Sequence, residues 1–168
     1  MGVDIGGTKI AVAVLDANGA ERLRRRVFYT RREYNAALAL LLETIRAAEN
    51  DAGERCTIGV GMPGLIDPET GVVENAYNTP FNKAFLKRDL ELELRREVRF
   101  ANDANCFALS EAIDGAARGA RVVFGAILGT GVGGGIAVGQ RILEGRHGIA
   151  GDVVGHLGDG GSLQPHVH

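Results

Sequence analysis

The chain has 168 residues, 19 of them basic and 21 acidic, for a formal charge of -2; that length buries a full core, and the near-neutral balance excludes the basic surface that nucleic acid asks for. The two cysteines, Cys56 and Cys106, each lie in an apolar run, which excludes a disulfide scaffold and predicts buried thiols in a reducing compartment. No apolar stretch approaches the length of a membrane span and no targeting segment precedes the first strand, so a cytoplasmic protein without membrane or nucleic-acid partners is expected.

Residues 2–4 read as a strand, Gly6-Gly7 as a turn, and Lys9 to Asp16 as a second strand closed by Ala17-Asn18-Gly19, a hairpin with a glycine-rich loop. A third strand is predicted over Arg24 to Tyr29, with the arginines at 22, 24–26 and 31–32 as solvated edge and turn positions. From Glu33 the period changes: Tyr34, Ala37, Leu38, Leu41, Ile45 and Ala48 recur at steps of three or four, which predicts an amphipathic helix ending before Asn50. Cys56 to Met62 reads as an apolar strand turned by Pro63-Gly64. Leu86, Leu90 and Leu94 mark a second helix, and Val98 to Ala101 returns as a strand. A third helix is predicted over Asn105 to Gly115, packed through Phe107, Leu109, Ala112, Ile113 and Ala116. A strand over Arg121 to Leu128 then enters the turn GTGVGGG, 129–135, and a last strand covers Ile136 to Leu143. Helices alternate with strands, so the class is α/β.

Glycine supplies 25 residues, about twice ordinary usage. Strand, glycine turn and strand occur over 2–16 and again over 122–143, which predicts two related lobes, each presenting a backbone loop to one shared ligand. The residues after Leu128 are too few to close a second core. The expectation is a first lobe with the start of a connecting helix over 1–118, a partial second lobe with an atypical tail over 119–168, and a chain cut short.

Glycines at a strand-to-turn junction let backbone N–H groups approach an anion. In DIGGTK the Thr8 hydroxyl, the Lys9 ammonium and the Asp4 carboxylate join them, and Asp4 suits a hydrated Mg2+ beside phosphate oxygens. Asp103, at a strand-to-helix junction, has two readings. It is an N-terminal cap for the helix that follows, or it is the base that takes a proton from an acceptor hydroxyl as a phosphoryl group arrives in line.

Four stretches, DIGGTKIAVAVLD, GVGMPGLIDPETGVVENAYNTP, FANDANCFALSEAIDGAARGA and FGAILGTGVGGGIAVGQRILEGRHGIAGD, together resemble the ROK family of sugar kinases and repressors. The likeness spans residues 1 to about 156 and is greatest to bacterial fructokinases and N-acetylglucosamine kinases. It implies a two-lobed actin-like, ribonuclease H-like ATPase fold, with ATP and Mg2+ serving phosphorylation of a hexose or N-acetylhexosamine in the cleft, and a homodimer. On this resemblance Asp4, Gly6, Gly7, Thr8 and Lys9 match the first phosphate loop, and Gly129, Thr130, Gly131, Gly133 and Gly134 the second. Asp103 matches the catalytic base and Asn102 a sugar-contacting neighbour. Gly61, Pro63, Gly64 and Asn78 match positions near the sugar, Asp152 the sugar-binding glutamate, and His156 a histidine that contacts sugar and ligates structural zinc.

Two departures accompany the likeness. Asp152 is one methylene shorter than the family glutamate and His156 follows it one position late. The zinc-binding cysteines are absent, since no cysteine follows Cys106, and four ligands are needed for a structural zinc. The alternatives are a fragment of a sugar-binding repressor, a class that generally carries an N-terminal helix-turn-helix where this first strand begins at Met1, and an inactive lobe kept as a binding module.

Overall fold

The computed structural model describes residues 1–29, 33–128 and 132–143. Strands β1 (Gly2–Ile5), β2 (Lys9–Leu15) and β3 (Glu21–Phe28) form an antiparallel meander. Helix α1 (Tyr34–Ala52) leads to β4 (Ile58–Met62), which lies parallel to β1. A small hairpin of β5 (Leu65–Ile66) and β6 (Val73–Glu74) precedes helix α2 (Leu86–Leu94) and strand β7 (Val98–Asn102). The main sheet is five-stranded, in the order β3-β2-β1-β4-β7. Helix α3 (Asp103–Ile113), β8 (Val122–Leu128), β9 (Val132–Val138) and β10 (Arg141–Ile142) follow, the strands forming a second sheet in the order β10-β9-β8. The chain divides into two compact units, Met1–Ala101 and a second beginning at Asn102.

Alternation along the strands builds the first unit. Val3 and Ile5 of β1, Ile10, Val12 and Val14 of β2, and Ile58, Val60 and Met62 of β4 are all buried on one face. The period of two that buries them turns Gly2, Asp4, Gly59 and Gly61 to the other face. Helix α1 covers the apolar face with Ala37, Leu41, Ile45 and Ala48, spaced three or four apart, and α2 adds Leu86, Leu90 and Leu94. Burying such side chains stabilises by roughly 1.5–3 kcal/mol each, so this face carries the unit's stability.

An ion pair fastens the helices to the sheet. Arg96, just past α2, meets Glu49 of α1 through both guanidinium nitrogens at 2.7 and 2.8 Å, and also donates to the Cys56 carbonyl at 2.9 Å. Glu49 accepts the Cys56 N–H at 2.6 Å. One carboxylate therefore joins the last turns of α1, the segment just past α2 and the lead into β4. Its side chain is 15% exposed and that of Arg96 14%, so water screens the pair little.

The elements depart from the sequence expectation in ways with identifiable causes. Helix α1 runs to Ala52, past Asn50, because Gly53 adopts φ 72° and the N–H groups of Gly53 and Glu54 bond back to the carbonyls of Asn50 and Glu49, a Schellman end that tolerates polar residues in the last turn. Strand β3 starts earlier, at Glu21, because Leu23 and Glu21 still pair with Val14 and Leu15 of β2 across a shift in register. Strand β4 starts later, at Ile58, because Cys56 is committed to Glu49 and Arg96. The β5–β6 hairpin was not expected, its two-residue strands being too short to show a period.

The second unit holds the larger corrections. The glycine run is not one turn: β9 resumes at Val132, with Gly133, Gly134 and Gly135 paired to Ile127, Ala126 and Gly125, and the final strand is split by a turn at Gly139-Gln140. Helix α3 starts at Asp103 and buries Ala104, Ala108 and Ala112, while Phe107 and Ile113 are 39% and 46% exposed. The helix sits so close to the glycines of β8 and β9 that only methyl-sized side chains fit beneath it. Cys106, on the outer side of that helix, is exposed, and Cys56, ahead of β4, is half-buried, where both were expected to be buried. Among the described residues no helix is long and apolar enough to cross a membrane.

The Arg96 guanidinium first, and the Cys56 N–H after burial has opposed it, hold the Glu49 carboxyl below its ordinary value of 4.5. A lowered folded value means that the stabilisation is complete above that ordinary value and is lost as pH falls through the folded one. Glu49→Gln is expected to cost about 2 kcal/mol near neutral pH. In denaturant melts the gap to the parent should narrow as pH falls below that ordinary value; a gap that stays the same size throughout the acid range would contradict this role.

Candidate active site

The loop between β1 and β2 is a tight turn in which the Gly6 N–H donates to the Lys9 carbonyl at 2.9 Å. Tyr29, just past β3, pins it twice: its hydroxyl donates to the Gly6 carbonyl, and its N–H to the Thr8 carbonyl at 3.1 Å. Asp4 and Thr8 are exposed, and Lys9 is half-buried. A Cβ built on Gly7 would lie 2.9 Å from the Asn78 carbonyl oxygen, so the absence of a side chain lets the segment carrying Asn78 reach the loop.

That segment is held from below. Phe81 is fully buried and meets the Tyr34 ring edge-on at 6.0 Å. The Thr79 hydroxyl donates to the Ala76 carbonyl at 2.9 Å, and the Ala76 N–H donates to Asn82 Oδ1 at 3.1 Å. Gly64 fixes its other end. With φ 79°, a Cβ there would lie 2.0 Å from the Glu74 carbonyl oxygen, which leaves no room for any other residue. Gly61 of β4 stands directly across from Asp4 of β1 in the parallel register. In the first unit, then, Asp4, Gly6 to Lys9, Gly61, Pro63, Gly64 and Asn78 gather around the C-terminal ends of β1 and β4. Tyr29, expected only as the end of the third strand, and Thr79 and Asn82 support them, and none of the three carried a signal of this task in the sequence.

In the second unit the question of the cap is answered by Asn102. Its backbone is extended, φ -64° and ψ 141°, and its Oδ1 accepts the N–H groups of Ala104 at 3.0 Å and Asn105 at 3.2 Å. This is the geometry of an N-cap, and Asn102 is buried. Asp103 is the first helical residue, half-buried, with Oδ1 accepting the Ala104 N–H at 2.8 Å. A carboxylate in the first turn is also favoured by the helix dipole. Gly133 and Gly134 lie in β9 and not in a loop. Gly129, Thr130, Gly131, Asp152 and His156 lie outside the described residues.

The donor set around β1, the Asp4 carboxylate and the Thr8 hydroxyl, offers hard oxygens and suits a Mg2+ that keeps most of its water. It does not suit zinc, which takes several protein ligands at once; among the described residues no group of three or more His, Cys, Asp or Glu is placed to hold a metal.

Gly64→Ala is expected to lower stability by at least about 2 kcal/mol, through a strained φ and a backbone overlap together. Gly59→Ala, where an added Cβ meets nothing within 4 Å, is its control. Urea melts of the two variants should separate clearly, and coincident melts would remove Gly64 from this role.

The ROK family model matches residues 1–160. N-acetyl-D-glucosamine kinase from Pectobacterium atrosepticum is 43% identical over 156 residues, which is 93% of this chain and 51% of that protein. Among solved structures, the ROK hexokinase from Thermus thermophilus gives a TM-score of 0.79 at 36% identity over 90% of this chain and 50% of that one. A ROK family glucokinase from Streptomyces griseus, in complex with glucose and AMPPNP, gives 0.79 at 33% identity over 90% and 48%. The chain spans about half the length of these relatives, and its mixed α/β architecture is that of actin-like sugar kinases, as expected. With the family model running through both compact units, the chain belongs to the ROK family.

Proposed function

We propose that the chain carries the phosphate- and sugar-handling half of an ATP-dependent kinase for a hexose or N-acetylhexosamine, with Asp103 as the base. The observation that carries this reading is the division of labour at the β7–α3 junction. The cap is supplied by Asn102, so the cap does not require Asp103, and its carboxylate stands at the head of the helix, where a base for phosphoryl transfer is called for. The family supports the same reading, since the curated relative named above is a kinase of N-acetylglucosamine and the glucokinase neighbour holds glucose with AMPPNP.

In this mechanism Asp103 takes the proton of one sugar hydroxyl as its oxygen attacks the γ-phosphorus of ATP and the bond from that phosphorus to the bridging oxygen breaks, releasing ADP, and Asn102 holds the turn from which the carboxylate projects. In-line transfer to an alcohol needs a positioned acceptor oxygen and offset phosphate charge more than covalent help. The Gly6 N–H is committed to the Lys9 carbonyl, so phosphate contact in the first loop falls to Gly7, Thr8 and the Lys9 ammonium. When bound, a Mg2+ held through water by Asp4 would neutralise charge on the phosphates. The second loop, with Gly129 to Gly131, and the sugar contacts of Asp152 and His156 belong to the same reading. ATP as co-substrate fits the cytoplasmic setting expected from the cysteines.

The experiment is ADP release with Mg-ATP against glucose, fructose, mannose, N-acetylglucosamine and N-acetylmannosamine. One sugar should stimulate turnover, and Asp103→Asn should lower kcat by on the order of 10²–10⁴-fold while sugar binding persists. An Asp103→Asn chain that turns over at the parental rate would eliminate Asp103 as the base.

A further inference from the structure

We propose that Gly135 is a positioning residue for Asp103, acting through the first turn of α3, with its cross-strand partner Gly125 seating the next turn. The inference rests on the reading of Asp103 as the base, and it gives the last glycine of the run a task other than phosphate binding.

A Cβ built on Gly135 would lie 2.3 Å from the Ala104 carbonyl oxygen, 2.5 Å from the Ala104 carbonyl carbon and 2.7 Å from the Asn105 nitrogen. All three atoms belong to one peptide unit of the helix backbone, so no side-chain rotation relieves the overlap. That peptide is also one the cap holds: Asn105 N–H donates to Asn102 Oδ1 at 3.2 Å. The preceding N–H, of Ala104, donates to Asn102 Oδ1 at 3.0 Å and to Asp103 Oδ1 at 2.8 Å. Strand β9 thus presses on the backbone to which both the cap and the candidate base are tied.

Gly125 pairs directly with Gly135 across the ladder. A Cβ there would meet the Phe107 ring at 2.9 Å and the Ala108 Cα at 3.0 Å, one turn further along α3. The two glycines form a saddle into which Ala104 and Ala108, both fully buried, settle. Widening the saddle at Gly135 displaces the head of the helix, and with it the Asp103 carboxylate, without touching a nucleotide-contacting side chain.

The test is amide hydrogen exchange on the 168-residue chain, paired with sugar kinase kinetics. Gly135→Ala should speed exchange at Ala104 and Asn105 by about tenfold or more while the amides of β1 and β4 keep their protection. Wherever the parent phosphorylates a sugar, kcat should fall and KM for ATP stay within about twofold. Native exchange at those amides overturns the proposal, as does a raised ATP KM with kcat retained, which would return Gly135 to phosphate binding. If Gly135→Ala unfolds the second unit, Gly125→Ala reads the same seat against a movable ring. Faster exchange confined to Phe107 and Ala108 supports the saddle, and native exchange there overturns it. Exchange does not depend on turnover, so a parent without activity still tests the seat, and the base reading fails by its own test, an Asp103→Asn chain that keeps the parental rate.

Discussion

Backbone crossings that leave no space for a Cβ hold the segments that carry the candidate site residues where they are. Gly7 lies against the Asn78 carbonyl, Gly64 against Glu74 to Ala76, and Gly135 against the Ala104–Asn105 peptide. Each brings a segment bearing a candidate site residue onto a strand end or a ladder at a distance that a methyl group would forbid. Close-packed interiors pass such a displacement on to their neighbours. The glycine excess in the composition is therefore a spacing requirement in these places, whatever else the individual glycines do for a phosphate.

The first unit supplies the rigid base on which two of these crossings rest. Its apolar face is closed by α1 and α2, and the Glu49–Arg96 pair ties both helices to the lead of β4. Because β4 runs parallel to β1 with Gly61 opposite Asp4, fixing β4 fixes the neighbour of the β1–β2 loop. Tyr29 restrains the same loop from the other side, by two hydrogen bonds to carbonyls within it. Function-bearing loops on rigid elements are more exact than loops alone, and here the loop is held from the sheet, from β3 and from the Asn78 segment.

Much of this was legible in the sequence, for physical reasons that also mark where legibility stops. The α1 stripe from Tyr34 to Ala48 and the Leu86, Leu90, Leu94 stripe announced their helices, because burial on one face imposes a period of three to four. The fold class followed from alternation of those helices with apolar strands, and the family from DIGGTK, NDAN and GTGVGGG taken together. The packed face of α3 was misread because large apolar residues were assumed to face inward. Phe107 and Ile113 instead face out, since the strands beneath carry glycine and admit only alanine. The run after Leu128 reads as one turn for a related reason: glycine signals a turn locally, and only pairing with β8 reveals that Gly133 to Gly135 are strand. Asn102 and Asp103 are adjacent polar residues with equal claims to capping, and the backbone geometry of Asn102 separates them.

The account turns on Asp103 as a base presented by a helix that Asn102 caps and β9 seats. The most direct measurement is a crystal structure of the chain with AMPPNP and the sugar that stimulates turnover. A carboxylate oxygen of Asp103 within about 2.6–3.2 Å of one sugar hydroxyl, with the Asn102 cap intact, is the predicted result. A bound sugar whose hydroxyls all lie beyond the reach of Asp103 would contradict it.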